Sequence, residues 1–64
     1  MVTINGNEVN ASGKTIMELV EENSYKITHI AVERNEEIVP KSQYNSVTVQ
    51  DGDVIEIVEF MGGG

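Results

Sequence analysis

The chain has 64 residues, enough for one small domain whose core contributes no more than roughly 3–5 kcal/mol of net stability. It has no cysteine and a single histidine, which excludes disulfides, thiolate metal sites and histidine metal clusters. Eleven Asp or Glu against four Lys or Arg leave a net charge of −7, which argues against nucleic acid and anionic membranes and serves either solubility or docking on basic protein surfaces.

The chain begins with a hairpin signal. In "VTINGNEVNA" the pair Asn5-Gly6 suits a two-residue turn whose central positions both need φ > 0. Counting out from that turn pairs Ile4 with Asn7, Thr3 with Glu8 and Val2 with Val9, placing Val2, Ile4 and Val9 on one buried face that Ala11 continues. "SGKTIMELVEEN" reads as a helix of about two turns. Thr15 and Glu18 form a capping box, and Ile16, Leu19 and Val20 make one apolar stripe. Glu18, Glu21 and Glu22 face water, and Asn23 stops the helix. So short a helix needs a sheet to pack on.

A strand is predicted from Ile30 to Arg34, then a tight turn at Asn35 and a short strand with Ile38 and Val39. Pro40 cannot donate to a ladder, so it ends that strand or marks an edge. "KSQYN" reads as an irregular turn with room for a single 3₁₀ turn, "VTV" as a short extended piece, and Asp51-Gly52 as another turn. "VIEIVEF" is the final strand. Its apolar residues fall on both faces, and one short helix covers only one. Ile55 and Ile57 are therefore assigned inward, and Val54, Val58 and Phe60 outward. The outward set is either a patch for a partner or ordinary exposed side chains. The predicted fold class is α+β, a mixed four- to five-stranded sheet with one main helix on one face. Residues 1–60 are expected to form the domain and residues 61–64 a flexible Gly-rich tail.

A pocket large enough for a substrate would consume most of this core, so composition favours a binding or carrier module over an enzyme. No apolar run approaches the ~20 residues of a membrane-spanning helix. No signal peptide is visible, since Lys14 precedes only a short, Glu-interrupted segment. A cytoplasmic location is expected.

The segments "INGNEV", "TIMELVEEN", "IAVERNEEIVPKSQY" and "VQDGDVIEIVEFMGGG" together resemble the ubiquitin-like β-grasp sulfur carriers, above all those of thiamin biosynthesis. The resemblance covers the whole chain. Its most specific part is the Asp-Gly-Asp turn, final strand and terminal Gly-Gly at that spacing. Seen alone, the glycines are either a frayed remnant or a working tail; the resemblance implies the latter. It implies that Gly64 is the modified residue. A ubiquitin-activating-like adenylyltransferase uses MgATP to adenylate its carboxylate. Sulfur from a cysteine desulfurase or another persulfide donor then displaces AMP and leaves a thiocarboxylate. Thiazole synthase receives that sulfur. The chain itself is expected to bind no cofactor or metal, to contain no catalytic residue, and to act as co-substrate of its partners.

Glycine suits such a tail because it lacks Cβ and adopts φ/ψ values barred to other residues. Gly62, Gly63 and Gly64 are expected to thread a partner channel, although only Gly63 and Gly64 are demanded by the family pattern. Met61 to Gly64, fully extended, span about 13–14 Å. By position, Val58, Phe60 and Met61 are the candidate docking residues, with Glu56 and Glu59 steering.

A carrier for molybdopterin synthesis or another thiolation pathway, and a β-grasp interaction module with an inert tail, are the alternatives. His29, at the start of a strand, reads as a surface or turn histidine, and the Glu21-Glu22 and Glu36-Glu37 pairs as solvated faces. Tyr25 and Tyr44 read as covers over the core edges. Arg34 pairs either with an acidic neighbour or with a partner.

Overall fold

The computed structural model describes residues 1–60. The expectations for Met61 and for Gly62, Gly63 and Gly64 lie outside the described residues. At the first turn Asn5 and Gly6 take φ of 50° and 85°, the left-handed pair that a two-residue hairpin needs. They join β1 (Val2–Ile4) to β2 (Asn7–Val9) in the expected register, Val2 opposite Val9, Thr3 opposite Glu8 and Ile4 opposite Asn7.

Helix α1 (Ile16–Glu22) starts at the anticipated capping box. The Glu18 backbone N–H donates to Thr15 Oγ1 at 3.1 Å, and the Thr15 backbone N–H donates to Glu18 Oε1 at 2.8 Å. Ile16, Leu19 and Val20 are buried, and Asn23 closes the helix with its side-chain amide on the Leu19 carbonyl at 2.7 Å.

Strand β3 (Ile30–Arg34) has the predicted span. A 3₁₀ turn at Ile27–His29 precedes it, so His29 belongs to that turn and not to the strand. The next turn places Asn35 at φ 52° and Glu36 at φ 70°, leading into β4 (Glu37–Val39). Pro40 ends β4, and a 3₁₀ turn at Lys41–Gln43 follows. "VTV" contributes a single bridge from Thr48 to Thr15 and buries Val49 completely. Strand β5 (Val54–Glu59) ends one residue earlier than the sequence suggested, though the Phe60 N–H still donates to the His29 carbonyl at 2.9 Å.

The sheet has five strands in the order β2-β1-β5-β3-β4. It is mixed, with β5 parallel to β1 and antiparallel to β3. The last strand among the described residues is thus the central strand of the sheet. Helix and sheet enclose one core, in which Val2, Leu19, Ile30, Val32 and Ile55 are at most 2% exposed. Tyr44 corrects the expectation of an edge cover: at 1% exposure it is among the largest fully buried side chains. Burial pushes its phenol pKa up, partly opposed by a backbone hydrogen bond with Val32. Tyr25 is partly buried against the cluster.

Candidate functional site

The candidate site is the end of β5, where any tail must depart from the domain. What holds this strand is therefore part of the site. On one side β3 pairs with it from Ile30 opposite Glu59 to Arg34 opposite Ile55. On the other side β1 stops at Ile4, and the side chain of Asn5 continues its ladder. Asn5 Oδ1 accepts from the Ile57 N–H at 2.8 Å, and Asn5 Nδ2 donates to the Ile57 carbonyl at 3.2 Å. The turn on the opposite flank does the same at the start of the strand, where Asn35 Oδ1 accepts from the Val54 N–H at 2.9 Å. Two hairpin-turn asparagines, chosen locally for their tolerance of positive φ, thus also fasten the central strand.

Asp53 fixes the entry to β5. It is 8% exposed and accepts from Arg34 Nε at 2.9 Å, from the Gln50 backbone N–H at 2.9 Å and from Asn35 Nδ2 at 3.0 Å. Burial alone would raise its carboxyl pKa, but the Asn35, Gln50 and Arg34 hydrogen bonds and the guanidinium charge together hold it below the usual carboxylate value. Arg34 therefore pairs with an acidic neighbour, the first of the two options its position left open. Sequence reading missed Asp53 as a buried group; the Asp-Gly-Asp turn was its only local signal.

The faces of β5 follow the predicted alternation. Ile55 and Ile57 point into the core, at 0% and 6% exposure, while Val54, Val58 and Phe60 are 47%, 54% and 43% exposed. Cross-strand neighbours share a face, so the register extends this surface. Val58 lies opposite Ala31, Glu56 opposite Glu33, and Glu33 opposite Ile38 on β4. Val58 and Glu56 thus share the outer face, and the exposed Phe60 follows at the strand end. Glu59 is not on the same side: it lies opposite Ile30 with the parity of the buried residues, exposed at the end of the sheet. Ala31, Glu33 and Ile38 were missed, because naming them requires the β3–β5 pairing.

Among the described residues no ion pair engages Glu33, Glu56 or Glu59; the pairs present are Arg34–Asp53, Lys14–Glu22 and the N-terminal amine with Asp51. The outer face thus keeps its negative charge uncompensated around an apolar strip. Among the described residues, no group of three or more His, Cys, Asp or Glu could hold a metal ion. A hollow of about 370 Å³ lies between the first hairpin and α1, floored by Ile4, Val9 and Leu19 and rimmed by asparagines. Its one cationic side chain, Lys14, is engaged by Glu22 at 2.8 Å. No helix among the described residues is long and apolar enough to cross a membrane.

The profile of the ThiS family matches residues 2–64. A thiazole synthase of Paramagnetospirillum magneticum is 52% identical over 64 residues, covering 98% of this chain but 20% of that protein. The chain therefore spans about a fifth of the length of that relative. The sulfur carrier protein ThiS of Bacillus subtilis is 41% identical, with all of both chains covered. The crystal structure of the thiamine biosynthesis protein (ThiS) from Geobacter metallireducens matches with a TM-score of 0.79 at 33% identity, covering 98% of this chain and 97% of that one.

Proposed function

The chain belongs to the ThiS family, and from that premise we propose that it is a sulfur carrier of thiamin biosynthesis whose reactive group is the carboxylate of Gly64. The observation that carries this reading is the match to a sulfur carrier along the full length of both chains, together with a family match that includes Gly62, Gly63 and Gly64. The β-grasp architecture and the fastening of β5 support it.

A carboxylate is a poor electrophile, because its charge repels nucleophiles and oxide does not leave. Attack of the Gly64 carboxylate on the α-phosphorus of ATP expels pyrophosphate and gives an acyl adenylate. The outer sulfur of a persulfide donor then displaces AMP and forms an acyl disulfide. A second thiol, on the partner or in solution because this chain has no cysteine, attacks the donor's sulfur in that bond, so the thiocarboxylate leaves and a disulfide remains. The carrier supplies the acyl group and the reach. MgATP and the catalytic groups belong to an adenylyltransferase of the ubiquitin-activating type, so the carrier is a co-substrate and not an enzyme. These steps use ATP and cysteine-derived sulfur, and the proposal places them in the cytoplasm. Thiazole synthase is the recipient, a reading supported by the relative of that name that contains a segment similar to this chain.

In docking, Val58, Phe60 and Met61 meet an apolar surface of the partner, while Glu56, and Glu59 from the end of the sheet, attract basic residues around it. The anchored strand delivers the tail, and the glycines enter the channel. Removing Gly64, or extending the chain beyond it, tests this. Both variants are expected to keep the folded circular-dichroism spectrum and to lose sulfur loading. An extended chain that loads without first being trimmed contradicts the proposal. Capture with the loaded form separates recipients: retention of a molybdopterin-synthase large subunit instead of thiazole synthase would redirect the pathway.

A further inference from the structure

Asn5 touches β5 three times. Its backbone N–H donates to the Ile55 carbonyl at 2.9 Å, and its side-chain amide makes the two bonds with Ile57. The two Ile57 bonds bridge residues 52 positions apart in the chain. Of the six asparagines, Asn5 alone is followed by glycine. Asn5 and Gly6 are both exposed, and outside Gly6 and its chain neighbours no atom lies within 4 Å of the place a Cβ on Gly6 would occupy. A backbone nitrogen with no neighbouring Cβ is the least hindered nucleophile that an asparagine side chain can meet.

We propose that Asn5 is a site of spontaneous covalent modification, a deamidation that weakens the side-chain link between the first hairpin and the tail-bearing strand. The Gly6 backbone nitrogen gives its proton to solvent base and attacks Asn5 Cγ. The bond from Cγ to Nδ2 breaks, and Nδ2 leaves as ammonia. The resulting succinimide is opened by water at either carbonyl, giving an aspartyl or an isoaspartyl residue. One water is consumed, one ammonia is released, and no electrons change hands. The departing Nδ2 is the atom that donates to the Ile57 carbonyl. In the aspartyl product a carboxylate oxygen confronts that carbonyl, acceptor against acceptor. In the isoaspartyl product an added methylene in the main chain displaces the turn itself.

The native fold restrains the reaction. Both Ile57 bonds must open before Cγ can swing to the Gly6 nitrogen, so modification proceeds through a locally opened hairpin. Asn35 is an internal control: it fastens the same strand through Val54, but the next residue is Glu36, which carries a Cβ.

The experiment incubates the chain in mildly alkaline buffer, folded or in urea, and follows each asparagine by peptide mass and the added negative charge by ion exchange. In urea, modification concentrates at Asn5 over Asn35; in the folded chain it is about tenfold or more slower. Hydrogen exchange is then compared between intact chain, the purified isoaspartyl fraction and the Asn5→Asp variant. Exchange across Ile57 to Phe60 is about five- to thirtyfold faster in both altered forms. Equal rates at Asn5 and Asn35 in urea, equal rates at Asn5 with and without urea, or unchanged exchange in the altered forms each overturn the proposal. If the isoaspartyl fraction does not refold, the Asn5→Asp comparison decides the last point.

Discussion

Replacing Asp53 by alanine removes the acceptor shared by Arg34, Gln50 and Asn35, at distances of 2.9, 2.9 and 3.0 Å. A neutral hydrogen bond contributes about 0.5–1.5 kcal/mol and one to a charged group about 1.5–3 kcal/mol. The Arg34 side chain is 34% exposed, so water rehydrates its guanidinium and its share falls at the low end. All three bonds are partly buried. The expected loss is roughly 3–4 kcal/mol at neutral pH, comparable with the whole net stability of roughly 3–5 kcal/mol for so small a domain. Because the folded pKa of Asp53 is depressed, its contribution is present above the unfolded value of about 3.9 and is lost as pH falls through the folded value. Urea unfolding followed by circular dichroism, at neutral pH and again below about pH 3, measures both effects. Asp53→Ala should be only marginally folded at neutral pH, and its deficit should shrink in acid. Asp51, whose pKa is lowered first by hydrogen bonding to the N-terminal amine and then by Ser12, makes the parent acid-sensitive in the same direction. A variant within about 0.5 kcal/mol of the parent at neutral pH, or a deficit undiminished in acid, refutes this account of the Asp53 cluster.

Glu36, a non-glycine residue at φ 70°, should gain about 0.5–1 kcal/mol on replacement by glycine, seen as a higher urea midpoint; a loss would mean that its side chain makes a contribution not visible in the turn geometry. Thr15→Ala removes the capping oxygen and should cost about 1 kcal/mol in the same assay. Val58→Ser and Phe60→Ser alter exposed side chains and should change stability by less than about 0.5 kcal/mol. Together they should raise the KM for adenylation about tenfold or more, read as pyrophosphate release. An unchanged KM removes both residues from the docking surface.

Elements set by neighbouring residues are legible in the sequence itself. Asn5-Gly6 dictates both a turn type and a register, because a two-residue loop leaves no freedom in pairing. Thr15 with Glu18 marks the helix start, because the capping oxygens must lie three residues apart. Alternation along β5 separates Ile55 and Ile57 from Val58 and Phe60. Contacts between distant segments are not legible in this way. Nothing local says that β1 runs parallel to β5, and without that pairing Asn5 is only a turn residue. The place of Glu33 beside Glu56 and the parity that sets Glu59 apart from both depend on the β3–β5 register. Tyr44 misled because a tyrosine in a polar loop looks like a cover, whereas the chain around it folds over the sheet and buries the ring. Asp53 misled because a turn carboxylate is ordinarily solvated, and its three donors come from two separate turns and a strand end.

The measurement closest to the central claim is the intact mass of the protein after incubation with its adenylyltransferase, MgATP, a persulfide donor and a thiol reductant, followed by fragmentation to place the change. The account predicts the gain in mass for one oxygen replaced by sulfur, located at Gly64 and dependent on ATP. An unchanged mass under conditions that load a known carrier, or a sulfur adduct located anywhere else in the chain, contradicts it.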